Sequence, residues 1–271
     1  MQRVHWERLP GTVRDAIQAQ TGPVRRATTA KEGLNSEIAL FLDTDAGSFF
    51  VKGLRLSHPG VVTQRREAAI SPHVAPVSPR LLWHIQIDDW DLLGFERIPG
   101  RHADYSPGSP DLPLVVDAMR RLGEIPCPDA PVKIAEQRWA AYINDEASRR
   151  LLAGDQLLHT DYNPFNILIH RDTAHIIDWA WPTKGAAWID PCCLVMRLIT
   201  AGHAPEEAEH WAQQTPAWHT ASPHAIDTFA TASTRLWREI SQAKPLTNWK
   251  TGMAKSAHIW AEHRQSVRDR S

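Results

Sequence analysis

The sequence predicts an α+β protein of two lobes, a small sheet-rich N-lobe over residues 1–98 and a larger helical C-lobe over residues 99–271. Three observations carry this. Two pairs of short apolar runs, each split by a turn, lie before residue 98. Stretches of helical character dominate after about residue 100. A Pro99-Gly100 break separates the two halves.

The elements follow in order. Residues 10 to 20 (PGTVRDAIQAQ) read as a surface helix stopped by Thr21-Gly22-Pro23. Ile38 to Leu42 and Ser48 to Leu54 flank Asp45-Ala46-Gly47 and read as a hairpin. Residues 61 to 70 (VVTQRREAAI) predict a helix stopped before Pro72. Leu81 to Ile87 and Trp90 to Glu96, separated by Asp88-Asp89, read as a second strand pair. In the C-lobe, Leu112 to Leu122 and Val132 to Leu152 read as helices. ILIH and AHIID then form two short strands joined by Arg171-Asp172-Thr173. From about residue 191 the chain is mostly helical and is broken by Pro205, Pro223 and Pro245. There is no internal repeat and no low-complexity segment.

Composition narrows the function classes. Thirty Lys and Arg nearly balance 31 Asp and Glu, so no long-range field points to nucleic acid or an anionic membrane. Three cysteines, two of them adjacent (Cys192, Cys193), suit a reducing compartment rather than a disulfide framework. No apolar run has the length of a signal-peptide core or a membrane span, which predicts a cytoplasmic protein. The 14 histidines include no pair three or four residues apart, the spacing of a helical zinc site.

The stretch LLHTDYNPFNILIHRDTAHIIDWAW, residues 157 to 181, sets His159, Asp161, Asn166 and Asp178 among aliphatic runs. A loop followed by a tight hairpin can bring Asp161, Asn166 and Asp178 to one edge. Two carboxylates and an amide oxygen there suit Mg²⁺ carrying substrate phosphates. Upstream, Lys52 interrupts an apolar strand (FFVKGL), where it could reach phosphates, and Glu67 follows on a helix, where it could hold that lysine. The turn Gly33-Leu34-Asn35-Ser36 could offer backbone N–H groups to a phosphate.

These residues resemble the protein-kinase-like fold and, within it, the aminoglycoside phosphotransferase (antibiotic kinase) family. The kinase set is a strand lysine, a helix glutamate, a catalytic-loop Asp with an Asn five residues on, and a metal-binding Asp after a strand. Here these are Lys52, Glu67, "HTDYNPFN" and "IIDW". The antibiotic-kinase branch shows H-G-D-x-x-x-x-N and I-D-[WF], often with Pro in the loop, as at Pro164. The resemblance spans about residues 28 to 200. It departs at Thr160, where a small or basic residue is usual, at the phosphate turn, which lacks G-x-G-x-x-G, and at Trp179, which replaces the Phe-Gly of D-F-G.

The resemblance implies an ATP-dependent phosphotransferase, with GTP as the other candidate donor, and Mg²⁺ as cofactor. Asp161 would orient an acceptor hydroxyl and take its proton, while Asn166 and Asp178 would hold the metal. Lys52, held by Glu67, would clamp phosphates near Asn35 and Ser36. Adenine would lie at the linker from Glu96 to Pro99. The partner is a small-molecule hydroxyl acceptor, most readily an antibiotic, and the protein a monomer or weak dimer. A metabolite kinase of the choline or homoserine kinase type, a non-catalytic nucleotide binder of kinase fold and a metal-dependent hydrolase using the H-x-D pair are the alternatives.

Other residues take plainer readings. His159 reads as structural, and Asp190, before Pro191, as the N-cap of the next helix, with support of the loop as its alternative. Cys192 and Cys193 read as apolar-face residues. Twelve tryptophans are many for 271 residues, and most belong in a core. Trp179, Trp181 and Trp188 adjoin the metal motif, where they could stack on an acceptor. With the chain nearly neutral, a less cationic nucleoside-type or peptide-type antibiotic rivals an aminoglycoside.

Overall fold

The computed structural model describes residues 3–30, 36–244 and 246–270. The chain forms two compact units, residues 1–100 with 176–180, and residues 101–175 with 181–271. The sequence expectation kept residues 99–271 together, whereas the segment 176–180, which carries Asp178, is packed with the first unit.

The first unit holds α1 (Gly11–Thr21), β1 (Val24–Thr29), β2 (Ile38–Thr44), β3 (Gly47–Arg55), α2 (Val61–Val74), β4 (Leu81–Ile87) and β5 (Trp90–Glu96). The strands form one sheet in the order β1-β2-β3-β5-β4, with antiparallel pairing throughout. Val13 and Ile17 of α1 bury with Ile38, Leu40, Leu42, Val51, Trp90 and Leu92 to make its core. β3 is the middle strand, and its Lys52 lies opposite Ala39 of β2 and Leu93 of β5. A side chain at the centre of a five-stranded sheet is held on both flanks, which makes it a fixed point for chemistry.

Two expectations change here. β1 (VRRATT) is an edge strand that its charged residues hid from periodicity, since edge strands carry such residues against mispairing. α2 does not stop before Pro72 but continues to Val74. Proline removes one backbone donor, and two residues from a helix end that loss is small.

The second unit begins with β6 (Arg101–His102), α3 (Leu112–Gly123), β7 (Lys133–Ile134), α4 (Ala135–Arg138) and α5 (Glu146–Arg150). It continues with β8 (Gln156–Leu158), β9 (Ile167–His170), β10 (Thr173–Ile176) and β11 (Thr183–Gly185). It ends with α6 (Ile189–Thr200), α7 (Pro205–Gln213), α8 (Pro223–Gln242) and α9 (Asn248–Arg268). Two small three-stranded sheets, β10-β9-β6 and β7-β11-β8, hold the loop containing Asp161 at both ends. The single helix expected over Val132 to Leu152 is instead a strand, two short helices and turns. Lys133 pairs with Thr183 in the sheet, and the Asp145 carboxylate accepts from Ser148 N–H (2.8 Å) to start α5 afresh. Sheet pairing and a new cap together override the local helical preference. No helix among the described residues is long and apolar enough to cross a membrane.

Candidate active site

Within the first unit, the Lys52 ammonium is the hub of a buried ion cluster. It pairs with the Glu67 carboxylate from α2 and lies 3.3 Å from Asp178 Oδ1. Burial works against the charge on Lys52. The carboxylates of Asp178 and Glu67 outweigh it, and the ammonium pKa is raised. Glu67 is pushed upward by burial, opposed by Lys52 and by the Trp179 backbone N–H, because one ammonium is divided between two carboxylates.

Segment 176–180 is fastened by three hydrogen bonds. Ile176 N–H donates to Val77 C=O (2.7 Å), Ser78 Oγ donates to Ile176 C=O (2.7 Å) and Trp179 Nε1 donates to Ser78 Oγ (2.8 Å). Asp178 has φ of 61°, a left-handed conformation that aspartate tolerates better than most residues. The three hydrogen bonds hold this strained conformation in place.

Within the second unit, Asp161 and Asn166 are joined. Asn166 Nδ2 donates to Asp161 Oδ2 (3.0 Å) and to Asp161 C=O (3.1 Å), so a short helical turn at Pro164–Asn166 fixes the loop. Beneath it lies Asp190, which accepts from the N–H groups of His159 (2.9 Å) and Thr160 (2.8 Å) and from the Tyr162 hydroxyl (3.1 Å). Asp190 is therefore not the N-cap of α6. The cap position is Trp188, and the buried Asp190 carboxylate braces the loop from the first turn. Burial raises its pKa, and these three donors and His159 counter it. His159 is buried, and Asp161 N–H donates to its Nδ1 (3.3 Å).

Two arginines that sequence reading passed over stand on this loop. Arg197 of α6 ion-pairs with Asp161 Oδ1 at 2.7 Å. Arg138 Nη1 donates to the hydroxyls of Thr160 (2.6 Å) and Thr183 (2.5 Å). Arg197 carried a signal, as the one charge in the apolar run LVMRLIT. Thr160 has φ of 66°, which explains why glycine suits this place in the family pattern, and its hydroxyl holds Arg138 rather than pointing idly away.

The remaining predicted residues divide. Asn35 lies outside the described residues, and Ser36 C=O accepts from Arg3 (2.7 Å). Glu96 ends β5, and its carboxylate is committed to Arg80, accepting from the backbone N–H (2.8 Å) and Nε (2.9 Å). Trp179 is buried, and Trp188 is buried against Phe229 with ring centroids 5.8 Å apart, so both are core. Trp181 remains 42% exposed. Cys192 and Cys193 are buried free thiols.

Taken singly, Asn166 and Asp178 each keep one oxygen uncommitted. Asn166 donates through Nδ2, and Asp178 meets Lys52 through Oδ1; among the described residues no donor holds Asn166 Oδ1 or Asp178 Oδ2. Each thus keeps a hard oxygen of the kind Mg²⁺ takes. Among the described residues no three His, Cys, Asp or Glu side chains gather as a metal site.

The architecture matches solved kinases. A hygromycin B- and AMP-PNP-bound thermostable mutant of aminoglycoside phosphotransferase APH(4)-Ia superposes with TM-score 0.63 at 14% identity, covering 94% of this chain and 98% of that one. The fold is protein-kinase-like. Choline kinase LicA from Streptococcus pneumoniae matches this kinase-like chain with TM-score 0.58 at 12% identity, over 93% and 98% of the two chains. A choline/ethanolamine kinase family protein from Mesorhizobium loti matches with TM-score 0.58 at 15% identity, over 94% and 98%. A family model described as RIO1, RIO domain, matches residues 117–184, the stretch holding Asp161, Asn166 and Asp178. No curated protein sequence matches the chain.

Proposed function

We propose that the protein is an ATP- and Mg²⁺-dependent O-phosphotransferase acting on a hydroxyl of a small molecule. The observation that carries this reading is the state of Asp161. It is a carboxylate fixed by Asn166 and Arg197 on a braced loop, in a chain whose Lys52 is charged and ion-paired to Glu67 and Asp178. In the reaction, the acceptor oxygen forms a bond to the γ-phosphorus as the bond from that phosphorus to the β–γ bridging oxygen breaks. ADP leaves, and the acceptor proton passes to Asp161. Lys52 steadies the nucleotide phosphates, and Glu67 keeps the ammonium pointed at them. Asn166 Oδ1 and Asp178 Oδ2 would hold Mg²⁺, which when bound neutralises charge between the β- and γ-phosphates.

Antibiotic inactivation or self-protection is the setting we favour, in a cytoplasmic protein that is a monomer or weak dimer. The likeness to choline kinases supports metabolite phosphorylation as a second reading. The test is a mass-spectrometric screen with MgATP over aminoglycosides, nucleoside and peptide antibiotics, macrolides, choline and homoserine. One acceptor should gain a single phosphate, and Asp161→Asn should lower the rate by roughly 10²-fold or more. Product formation undiminished in Asp161→Asn would remove the aspartate from the mechanism.

A further inference from the structure

Around Asp161 within the second unit, besides Asn166 and the Asp190 carboxylate that braces the loop from beneath, stand two guanidiniums and aromatic rings. Arg138 and Arg197 are bound to consecutive loop residues, Thr160 and Asp161, and both charges act on the same buried Cys193 thiol. Among the described residues no carboxylate pairs with Arg138, whose hydrogen bonds go to two hydroxyls. Burial lowers its pKa, and Cys193 and the carboxylates of Asp190 and Asp161, none of them hydrogen-bonded to it, only partly counter this. A neutral glutamine could brace two hydroxyls at lower cost. A guanidinium in that place lacks the partner it is shaped for, a carboxylate or a phosphate.

The aromatic faces say the same. Recognition of a substrate ammonium through an aromatic ring needs an open ring face. Here Trp181 has the Lys133 ammonium 4.6 Å and the Arg138 guanidinium 5.6 Å from its ring. Trp237 of α8 has Arg197 at 5.7 Å, and its ring meets Trp249 of α9 edge-on at 6.2 Å. Both tryptophans beside the loop thus already serve the protein's own cations. The buried Tyr105 hydroxyl, without a hydrogen-bond partner, lies within the fields of Arg197 and Asp161 and adds a donor for a ligand oxygen.

Granting the phosphotransferase reading of Asp161, we infer that the acceptor is an anion, a hydroxyl compound bearing a carboxylate or phosphate that Arg138 and Arg197 hold. The acceptor's charge then also prepares the aspartate. Drawn toward the ligand, Arg197 releases Asp161 Oδ1, and that oxygen becomes free to accept from the acceptor hydroxyl. A polyamine or a choline-like cation would instead meet Arg138, Arg197 and Lys133 and leave Asp161 engaged with Arg197.

One assay separates this assignment from the reading beneath it. With MgATP, mass spectrometry would follow phosphate gain on D-glycerate, glycerol 3-phosphate and a nucleoside 5′-monophosphate, each against its uncharged parent, and on choline and kanamycin. The anionic members should be the acceptors. Arg138→Gln should raise their KM roughly tenfold or more, beyond any fall in kcat, as for a lost charge-assisted hydrogen bond, and Arg138→Lys should recover part of it. Phosphate gain on kanamycin, choline or the uncharged parents in preference would overturn the anion assignment and leave the kinase reading standing. No product from any member would also count against the assignment, and calorimetric MgATP binding would then tell whether the kinase reading falls with it.

Discussion

At the scale of single residues, the positions assigned to the proposed chemistry are strained, buried or tightly hydrogen-bonded. Thr160 is the sharpest case, a β-branched residue at φ of 66° beside Asp161. Thr160→Ala and Thr160→Gly both remove the hydroxyl that holds Arg138, and only glycine relaxes the backbone. The glycine variant should be the more stable of the two by about 1 kcal/mol in urea unfolding. An alanine variant at least as stable would show that the left-handed backbone carries no strain. Much of this scale was legible in the sequence. A lone lysine in FFVKGL and the D-x-x-x-x-N spacing stand out against apolar runs, and the structure gathers Lys52 with Glu67 and Asp178, and Asp161 with Asn166. Asp190 misled because Asp-Pro at a helix start is also a cap signature. Only the tertiary partners, three donors from the loop, reveal its role. Arg138 was unreadable for the same reason, since its partners Thr160 and Thr183 are 22 and 45 residues away.

At the scale of elements, long periodic runs were readable and short ones were not. The two hairpins, α3 and the strand pair around Arg171 follow from alternation, turn residues and helical period. The two-residue strands β6 and β7 and the three-residue β8 and β11 exist only through pairing with distant partners, so no local pattern announces them. The sheet of the first unit also depends on a contact that composition hides. Trp83 of β4 lies over Gly94 of β5, where an added Cβ would sit 2.0 Å from the indole. Gly94→Ala should therefore cost about 1–3 kcal/mol, read as a lower midpoint in thermal unfolding. An unchanged midpoint would mean that the indole moves aside freely.

At the scale of the whole molecule, the charges nearly cancel, with a formal net charge of −1. Specificity must then come from local groups rather than from an overall field. Each unit carries its own part of the proposed chemistry: an ion-paired lysine and a strained aspartate in the first, a braced aspartate with two guanidiniums in the second. The central claim is that these parts serve a nucleoside triphosphate, and it can be tested before any acceptor is known. Isothermal titration calorimetry with ATP would be run with and without Mg²⁺, on the wild type and on Asp178→Asn. The account predicts saturable binding that needs Mg²⁺ and weakens at least about tenfold in Asp178→Asn. Absence of ATP binding by the folded wild type in the presence of Mg²⁺ would contradict it.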